Sequence, residues 1–210
     1  MAGTEARNSK DYLALDVVPR SGNNIKLKDL KKFFKYWDYT RTIEGWLTLP
    51  EALLLFTKSI EPGISTVLEI GCWQGRSSSL FAQISRDYGL RFITVDDFSG
   101  SGELWTKRKQ IKERFLRNMD GFLFELHHPD DLPGLIRTEQ VGLVYIDGSH
   151  SYEAVKNDIQ VFLPMARCII GHDYSLADVQ RAVDELIPNR SLPVFDMWMW
   201  EQLSHKVASS

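Results

Sequence analysis

The sequence predicts an α/β protein built on an open, doubly wound and mostly parallel sheet with helices on both faces. Three observations predict it. An apolar run with Val67, Leu68 and Ile70 breaks into Gly71-Cys-Trp-Gln-Gly75, and Leu80, Phe81 and Ile84 then recur at helical spacing. This reads as a buried strand, a tight glycine turn and a helix. The alternation of strand and helix then repeats, giving five such units in a row. Finally, acids and imidazoles (Glu69, Asp96, Asp147, His150, His172 and Asp173) gather at the carboxyl ends of the strands, where open α/β sheets bind their ligands.

Composition bounds the problem. A chain of 210 residues, 43% hydrophobic and 25% charged, suits one sizeable soluble domain. A net charge of −3 gives no general attraction to nucleic acid or to an anionic membrane. The two cysteines, Cys72 and Cys168, lack ligand-like spacing and read as reduced thiols. The first residues lack the apolar core of a signal peptide, and Ala52–Phe56 is among the longest apolar runs, far short of a membrane span. The expectation is a cytoplasmic protein.

Residues 1–40 read as a helical extension and 41–210 as the main domain. Within the extension, Leu27, Leu30, Phe34 and Trp37 share a helical face opposite a row of lysines. This face suits packing on the main domain; a membrane-surface helix or a mobile lid are the other readings. Thr48 and Glu51 have capping-box spacing and Pro50 suits a first turn, so a helix runs over about 49–58. Arg91–Phe98 is the second strand, ending in Asp96 and Asp97, and Asp96 follows Gly75 by 21 residues. A flexible Ser99–Gly102 opens a helix over about 103–119, basic outside, with Leu104, Ile111, Phe115 and Met119 inside.

The third strand spans Phe122–Leu126, before His127-His-Pro-Asp-Asp131. The adjacent histidines read as loop chemistry, since neighbouring side chains on a strand point oppositely. The fourth strand starts at Val141 and ends in Asp147 and His150; its helix carries Tyr152, Val155, Ile159 and Phe162 on one face. The fifth, from Ala166, ends in His172 and Asp173, and the last helix covers about 178–187. Pro193–Trp200 alternates as one final strand.

Gly71 and Gly75 are spaced Gly-x-x-x-Gly, unlike the Gly-x-Gly-x-x-Gly of dinucleotide-binding turns. An acid at the end of the second strand can accept both hydroxyls of a ribose. Together Val67–Ser78, Tyr145–Asp158, Ile170–Tyr174 and Asp178–Leu186 resemble class I S-adenosylmethionine (SAM) methyltransferases. The similarity is to the branch of macrocin-type and sugar O-methyltransferases, with cephalosporin-hydroxylase-like proteins as relatives, and it runs from about Gly45 to Leu186.

The resemblance implies a Rossmann-like fold and SAM-dependent methylation of a small-molecule or sugar hydroxyl, often with a divalent metal. A full fold of that class ends in a two-strand hairpin, and with one clear final strand this chain is expected to have a shortened one. It implies a cofactor held by the lid residues Gly45 and Trp46 and by Glu69, Gly71, Cys72, Trp73, Gly75 and Ser77 of the glycine turn. Asp96 and Asp97 would take the ribose, Asp130 the adenine edge, and Asp147 the far end. The implied metal set is Asp147, His172 and Asp173. His172 stands where metal-dependent relatives carry a carboxylate, which suits manganese, iron or zinc better than magnesium, or no metal at all. Asp147 and Asp173 could instead bind backbone amides at helix starts.

His150 is the candidate general base, with Asp147 and Asp173 as catalytic partners, because imidazole titrates near neutral pH. Capping the next helix is its other reading. A homodimer is compatible with this picture, and no nucleic acid partner or membrane span is expected. Three alternatives stand beside it: a non-catalytic nucleotide-binding module, a nicotinamide-dependent oxidoreductase, which the glycine spacing disfavours, and an RNA methyltransferase, which the overall acidity disfavours.

Overall fold

Six strands form one sheet in the order β3-β2-β1-β4-β5-β6. The computed structural model describes residues 25–99, 108–135 and 140–202. Strands β1 (Thr66–Ile70), β2 (Arg91–Val95), β3 (Glu125–His127), β4 (Val141–Ile146) and β5 (Ala166–Gly171) are parallel, and β6 (Trp198–Glu201) runs antiparallel to β5. The helices are α1 (Leu27–Thr40), α2 (Leu49–Ser59), α3 (Arg76–Tyr88), α4 (Arg108–Asn118), the single turn α5 (Leu132–Leu135), α6 (Tyr152–Phe162) and α7 (Ala177–Leu186). From β1 the chain builds outward to β3, then returns to place β4 on the other side of β1. That switch opens a crevice at the carboxyl ends of β1 and β4.

Alternation along the strands divides the core in two. Val67, Leu143, Tyr145 and Ile170 face one side with Phe33, Phe56, Phe81 and Phe115 from α1 to α4. Leu68, Ile93, Val144 and Ile169 face the other with Val155, Ile159 and Phe162 of α6 and Val183 of α7. Each fully buried side chain of this size contributes about 1.5–3 kcal/mol of transfer free energy. Among the described residues one strand, β6, follows β5 at that edge of the sheet, with Ser191 bridged to Met199 beside it. Trp198 is fully buried and lies across Gly171, where a Cβ would come within 2.1 Å of the indole, so only glycine fits there.

Several boundaries differ from expectation. The last strand begins at Trp198 rather than Pro193, because Asp196 is drawn off to the loop after β5: its carboxylate accepts from Ser175 N (2.6 Å) and Oγ (2.8 Å), and its carbonyl from Tyr174 N. The third strand lies at Glu125–His127 rather than Phe122–Leu126, and Arg91 anchors it there through Glu125 (2.6 Å). In α1 the inward face is Phe33, Tyr36 and Thr40, while Leu27 and Phe34 are exposed. Polar partners turn the helix: the Tyr36 hydroxyl donates to Asp87 (2.5 Å), Tyr88 to Asp29 (2.7 Å), and Thr40 pairs with Ser79. Leu104 and the Ser99–Gly102 opening fall wholly or partly outside the described residues, whereas Ile111, Phe115 and Met119 are buried as read. Residues 1–24 lie outside them too; α1 itself belongs to the common core. Among the described residues no helix is long and apolar enough to cross a membrane.

Candidate functional site

The turn after β1 draws three strand ends together. Gly71 has φ +87° and donates its N–H to Val95 O (2.9 Å); a Cβ there would lie 2.3 Å from the Asp147 carbonyl oxygen. Asp96 fastens the turn from β2: one carboxylate oxygen accepts from Cys72 N (2.8 Å) and Trp73 N (3.0 Å), the other from Phe98 N (2.6 Å). These bonds hold Trp73 at φ +43°, a conformation costly for a bulky residue. Beneath them Glu69 is fully buried and accepts from Ser77 Oγ, Ser78 Oγ and Thr94 Oγ1 at 2.6, 2.5 and 2.8 Å. Burial pushes its carboxyl up to about 7, against the pull of those hydroxyls.

A cavity of about 620 Å³ opens above the turn. At one end stand Gly45, Trp46 and Leu47, with Trp46 largely exposed and tilted over Trp73, ring centroids 4.7 Å apart. Arg76 secures that segment by donating to Gly45 O (2.5 Å). Gly71, Cys72, Trp73 and Ser77 form the middle of the wall, Asp96 and Asp97 line it beyond β2, and Asp147, His150, His172 and Asp173 line it beyond β4 and β5. A smaller recess of about 430 Å³ shares Asp96, Asp97 and Phe98 and is bordered by Lys109 and Lys112.

Three expected cofactor residues stand outside the cavity. Glu69 is sealed under the turn by its hydroxyls, and Gly75, at φ +92°, starts α3 with its back to Phe115 and Met119. Asp130 is 90% exposed and pairs with His128 Nδ1 (3.2 Å) in a single 3-10 turn, so Pro129 rather than Asp130 reaches the cavity.

Beyond β4 and β5 the acids and imidazoles form a chain. Asp173, at φ +58°, receives His150 Nε2 at 2.9 Å and His172 Nδ1 at 3.2 Å on one oxygen. His172 Nε2 lies 3.3 Å from Glu51 Oε1, off the hydrogen-bond axis, while Glu51 Oε2 accepts from Thr48 N and Oγ1 (both 2.7 Å). Asp147 is 3.8 Å from His172 Nδ1 and accepts from the Tyr145 hydroxyl (3.0 Å).

The electrostatics follow from that packing. Burial alone would lower the His172 pKa, but Asp173, Glu51 and Asp147 push it up to about 11, so it is an imidazolium at neutral pH. Burial raises the Asp147 carboxyl to about 6 despite nearby His172. Asp173 is also desolvated, yet its two imidazole partners hold it well below the usual carboxylate range. The hydrogen bond to Asp173 raises His150.

Ligand atoms of Asp147, His150 and Asp173 lie within 4.8 Å of one another, so two of the three expected metal residues stand together with His150. His172, the third, keeps its Nδ1 3.2 Å from Asp173 and 3.8 Å from Asp147 and turns its Nε2 toward Glu51.

A family model described as "Methyltransferase domain" matches residues 68–174, just over half of the chain, from the first strand to the end of the acid–imidazole cluster. The chain belongs to this methyltransferase family. No curated protein matches it in sequence. Among solved structures it is similar to the Streptomyces achromogenes O-methyltransferase TomG, involved in tomaymycin synthesis and solved with SAM: 16% identity over 80% of this chain and 87% of that one, TM-score 0.53. It is also similar to the SAH-bound Podospora anserina methyltransferase PaMTH1, with 15% identity over 96% and 100% and TM-score 0.54. Cofactor-bound Rv0187 from MTB has 17% identity over 86% and 90%, TM-score 0.52. At these identities the likeness is one of fold.

In this methyltransferase two residues of the site escaped the sequence reading. Glu51 was legible as a helix cap, but its second oxygen reaches His172 only in the folded chain. Asp158, an acid inside α6, lines the cavity with no hydrogen bond among the described residues. Its place one turn beyond Ala154 was the only available sign.

Proposed function

We propose that this methyltransferase transfers the methyl group of SAM to a hydroxyl of a small molecule or sugar, with His150 as general base. The observation that carries the reading is the Asp173–His150 bond on the wall of a cavity entered by the β1 glycine turn. When bound, SAM supplies an electrophilic methyl on a sulfonium centre. The cavity fits such a group: its volume is that of a small-ligand site, and Asp96 and Asp97 offer carboxylate oxygens where a ribose would lie. Gly45 and Trp46 would close over the methionine end.

Asp173 holds His150 by Nε2, which leaves Nδ1 to accept the acceptor's hydroxyl proton as its oxygen takes the methyl. The carboxylate orients the ring and stabilises the imidazolium that forms. Asp147 lines the same wall, held by the buried Tyr145 hydroxyl, and suits positioning of the acceptor hydroxyl. An overall charge of −3 favours a small acceptor over nucleic acid, and two buried free thiols suit the cytoplasm.

A second reading rests on the Asp147–His150–Asp173 triangle. Two carboxylates and an imidazole would suit manganese, iron or zinc better than magnesium, and such an ion would orient the acceptor oxygen in place of the base. Calorimetric titration with SAM and NADH, each with and without manganese, tests both readings. The proposal expects SAM binding, retained in His150→Ala, with methyl transfer to a screened acceptor falling about 10²–10⁴-fold in that variant. NADH binding without SAM binding would overturn it, and manganese binding that needs all three residues would favour the ion.

A further inference from the structure

Helix α1 packs on the domain through Phe33, Tyr36 and Thr40, and none of its residues lines the cavity. On its outward face Leu27 is 69% and Phe34 48% exposed. Phe34 follows Leu27 by seven residues (34 − 27), two helical turns, so the two stand in one line about 10 Å apart along the axis. Lys31 lies between them, and Lys28 and Lys35 each follow one of them. All three lysines are exposed, and none has an ion pair among the described residues. The acids of α1 do not offset them: Asp29 is buried and accepts from Tyr88, and Asp38 pairs with Arg41 (3.3 Å). The chain as a whole carries a net charge of −3, so this cationic face stands against the average of the molecule.

An apolar line bordered by lysines on a convex helix asks two things of a partner: negative charge, and an apolar layer just beneath that charge. A second copy of this chain would set lysine against lysine. Nucleic acid would neutralise the lysines but leave Leu27 and Phe34 against phosphates and sugars. An anionic bilayer meets both requirements. Its headgroups take the ammonium groups, the lysine stems lie along the interface, and the two apolar side chains reach the acyl boundary.

We infer that α1 docks this methyltransferase on an anionic membrane surface, with Leu27 and Phe34 dipping among the headgroups and Lys28, Lys31 and Lys35 paired with lipid phosphates. The cavity mouth stays close to such a surface. Gly45 follows Thr40, the last residue of α1, by five residues (45 − 40), a reach of at most about 17 Å. Arg76 ties the two together: its guanidinium lies 5.4 Å from the centroid of the Trp37 ring and donates to Gly45 O. Docking of this kind does not depend on which cofactor fills the cavity.

The experiment is cosedimentation of the full chain with vesicles of phosphatidylcholine alone, and of three parts phosphatidylcholine to one part phosphatidylglycerol, at about 0.1 M salt. Wild type should bind the mixed vesicles about tenfold or more tightly than the neutral ones. Each lysine near such a surface multiplies binding about fivefold, so Lys31→Glu with Lys35→Glu should weaken it about 25-fold or more. Phe34→Ser should weaken it about fivefold or more and leave its salt dependence unchanged, because the lost contact is apolar. All three side chains are exposed, so melting temperatures should stay within about 2 °C of wild type. Equal binding to both kinds of vesicle, or binding to neither, would overturn the inference. So would unchanged binding of Phe34→Ser, which marks adsorption by charge alone. Retention on heparin without binding to vesicles would also overturn it, and would assign the face to a soluble polyanion.

Discussion

Glu51 and His172 meet with Oε1 and Nε2 3.3 Å apart, so the cap of α2 and the end of β5 share one ion pair. The same carboxylate holds Thr48 through its other oxygen, two residues beyond Trp46 at the mouth of the cavity. Position of the cavity mouth and protonation of the cluster are therefore tied through one side chain.

Glu51→Gln should separate these jobs. Glutamine still completes a capping box, so α2 should keep its start, but the anion facing His172 is gone. The pKa of His172 should fall from about 11, seen by NMR titration of its ring protons. The raised pKa, to which Asp173, Glu51 and Asp147 all contribute, makes the stabilisation of the His172 imidazolium complete below about pH 6.5 and lost as pH rises through about 11. Glu51→Ala removes cap and anion together and should cost about 3–5 kcal/mol in urea unfolding at pH 7.

Glu69 sets a pH dependence of the same sign, but one that falls in the physiological range. Its carboxyl is raised from 4.5 to about 7, so the folded state holds the proton longer than the unfolded chain. The associated stability is complete below about pH 4.5 and is lost as pH rises through about 7, roughly 3 kcal/mol in all. Glu69→Gln lacks that loss. Between pH 5 and pH 8 the difference in unfolding free energy should move in favour of the variant by about 2–3 kcal/mol. Chemical denaturation at the two pH values reads it directly.

Gly71 and Gly89 both have positive φ but should respond differently to alanine. At Gly71 the added Cβ would meet the Asp147 carbonyl oxygen at 2.3 Å, whereas at Gly89 nothing lies within 4 Å. Gly89→Ala should cost about 1 kcal/mol for the left-handed conformation alone. Gly71→Ala adds a clash with backbone that has nowhere to move, so its cost should reach about 3 kcal/mol or more and abolish SAM binding. Paired melting curves and titrations decide.

Trp46 is 72% exposed and rests on Trp73. Trp46→Ala should leave unfolding free energy within about 1 kcal/mol of wild type yet weaken SAM binding about tenfold, if the indole closes over the cofactor. Unchanged SAM affinity would remove Trp46 from the lid.

Much of the site was legible because parallel sheets repeat one rule. Apolar runs mark strands, and the first polar residues after them stand at the carboxyl edge, so Gly71, Asp96, Asp147 and Asp173 could be placed on one rim from order alone. The helical period also located the buried faces of α4, α6 and α7. It placed the face of α1 only in part: Leu30 and Trp37 pack on the core as read, but Leu27 and Phe34 are exposed, and Tyr36 and Asp29 turn inward because α3 supplies Asp87 and Tyr88 as partners, a bond a hydropathy pattern does not register.

The sequence by itself determined the alternating α/β order, the glycine turn and the set of acids at the sheet edge, all consequences of local spacing. Tertiary structure decided which of them face the cavity. Glu69 went under the turn because three hydroxyls converge on it there, and Asp130 went to solvent with its 3-10 turn. At Asp173, His150 and His172 meet on one carboxylate oxygen, and His172 also reaches Glu51 with its other nitrogen. Each outcome depends on residues distant in the chain meeting in space, and spacing along the chain carries no record of that.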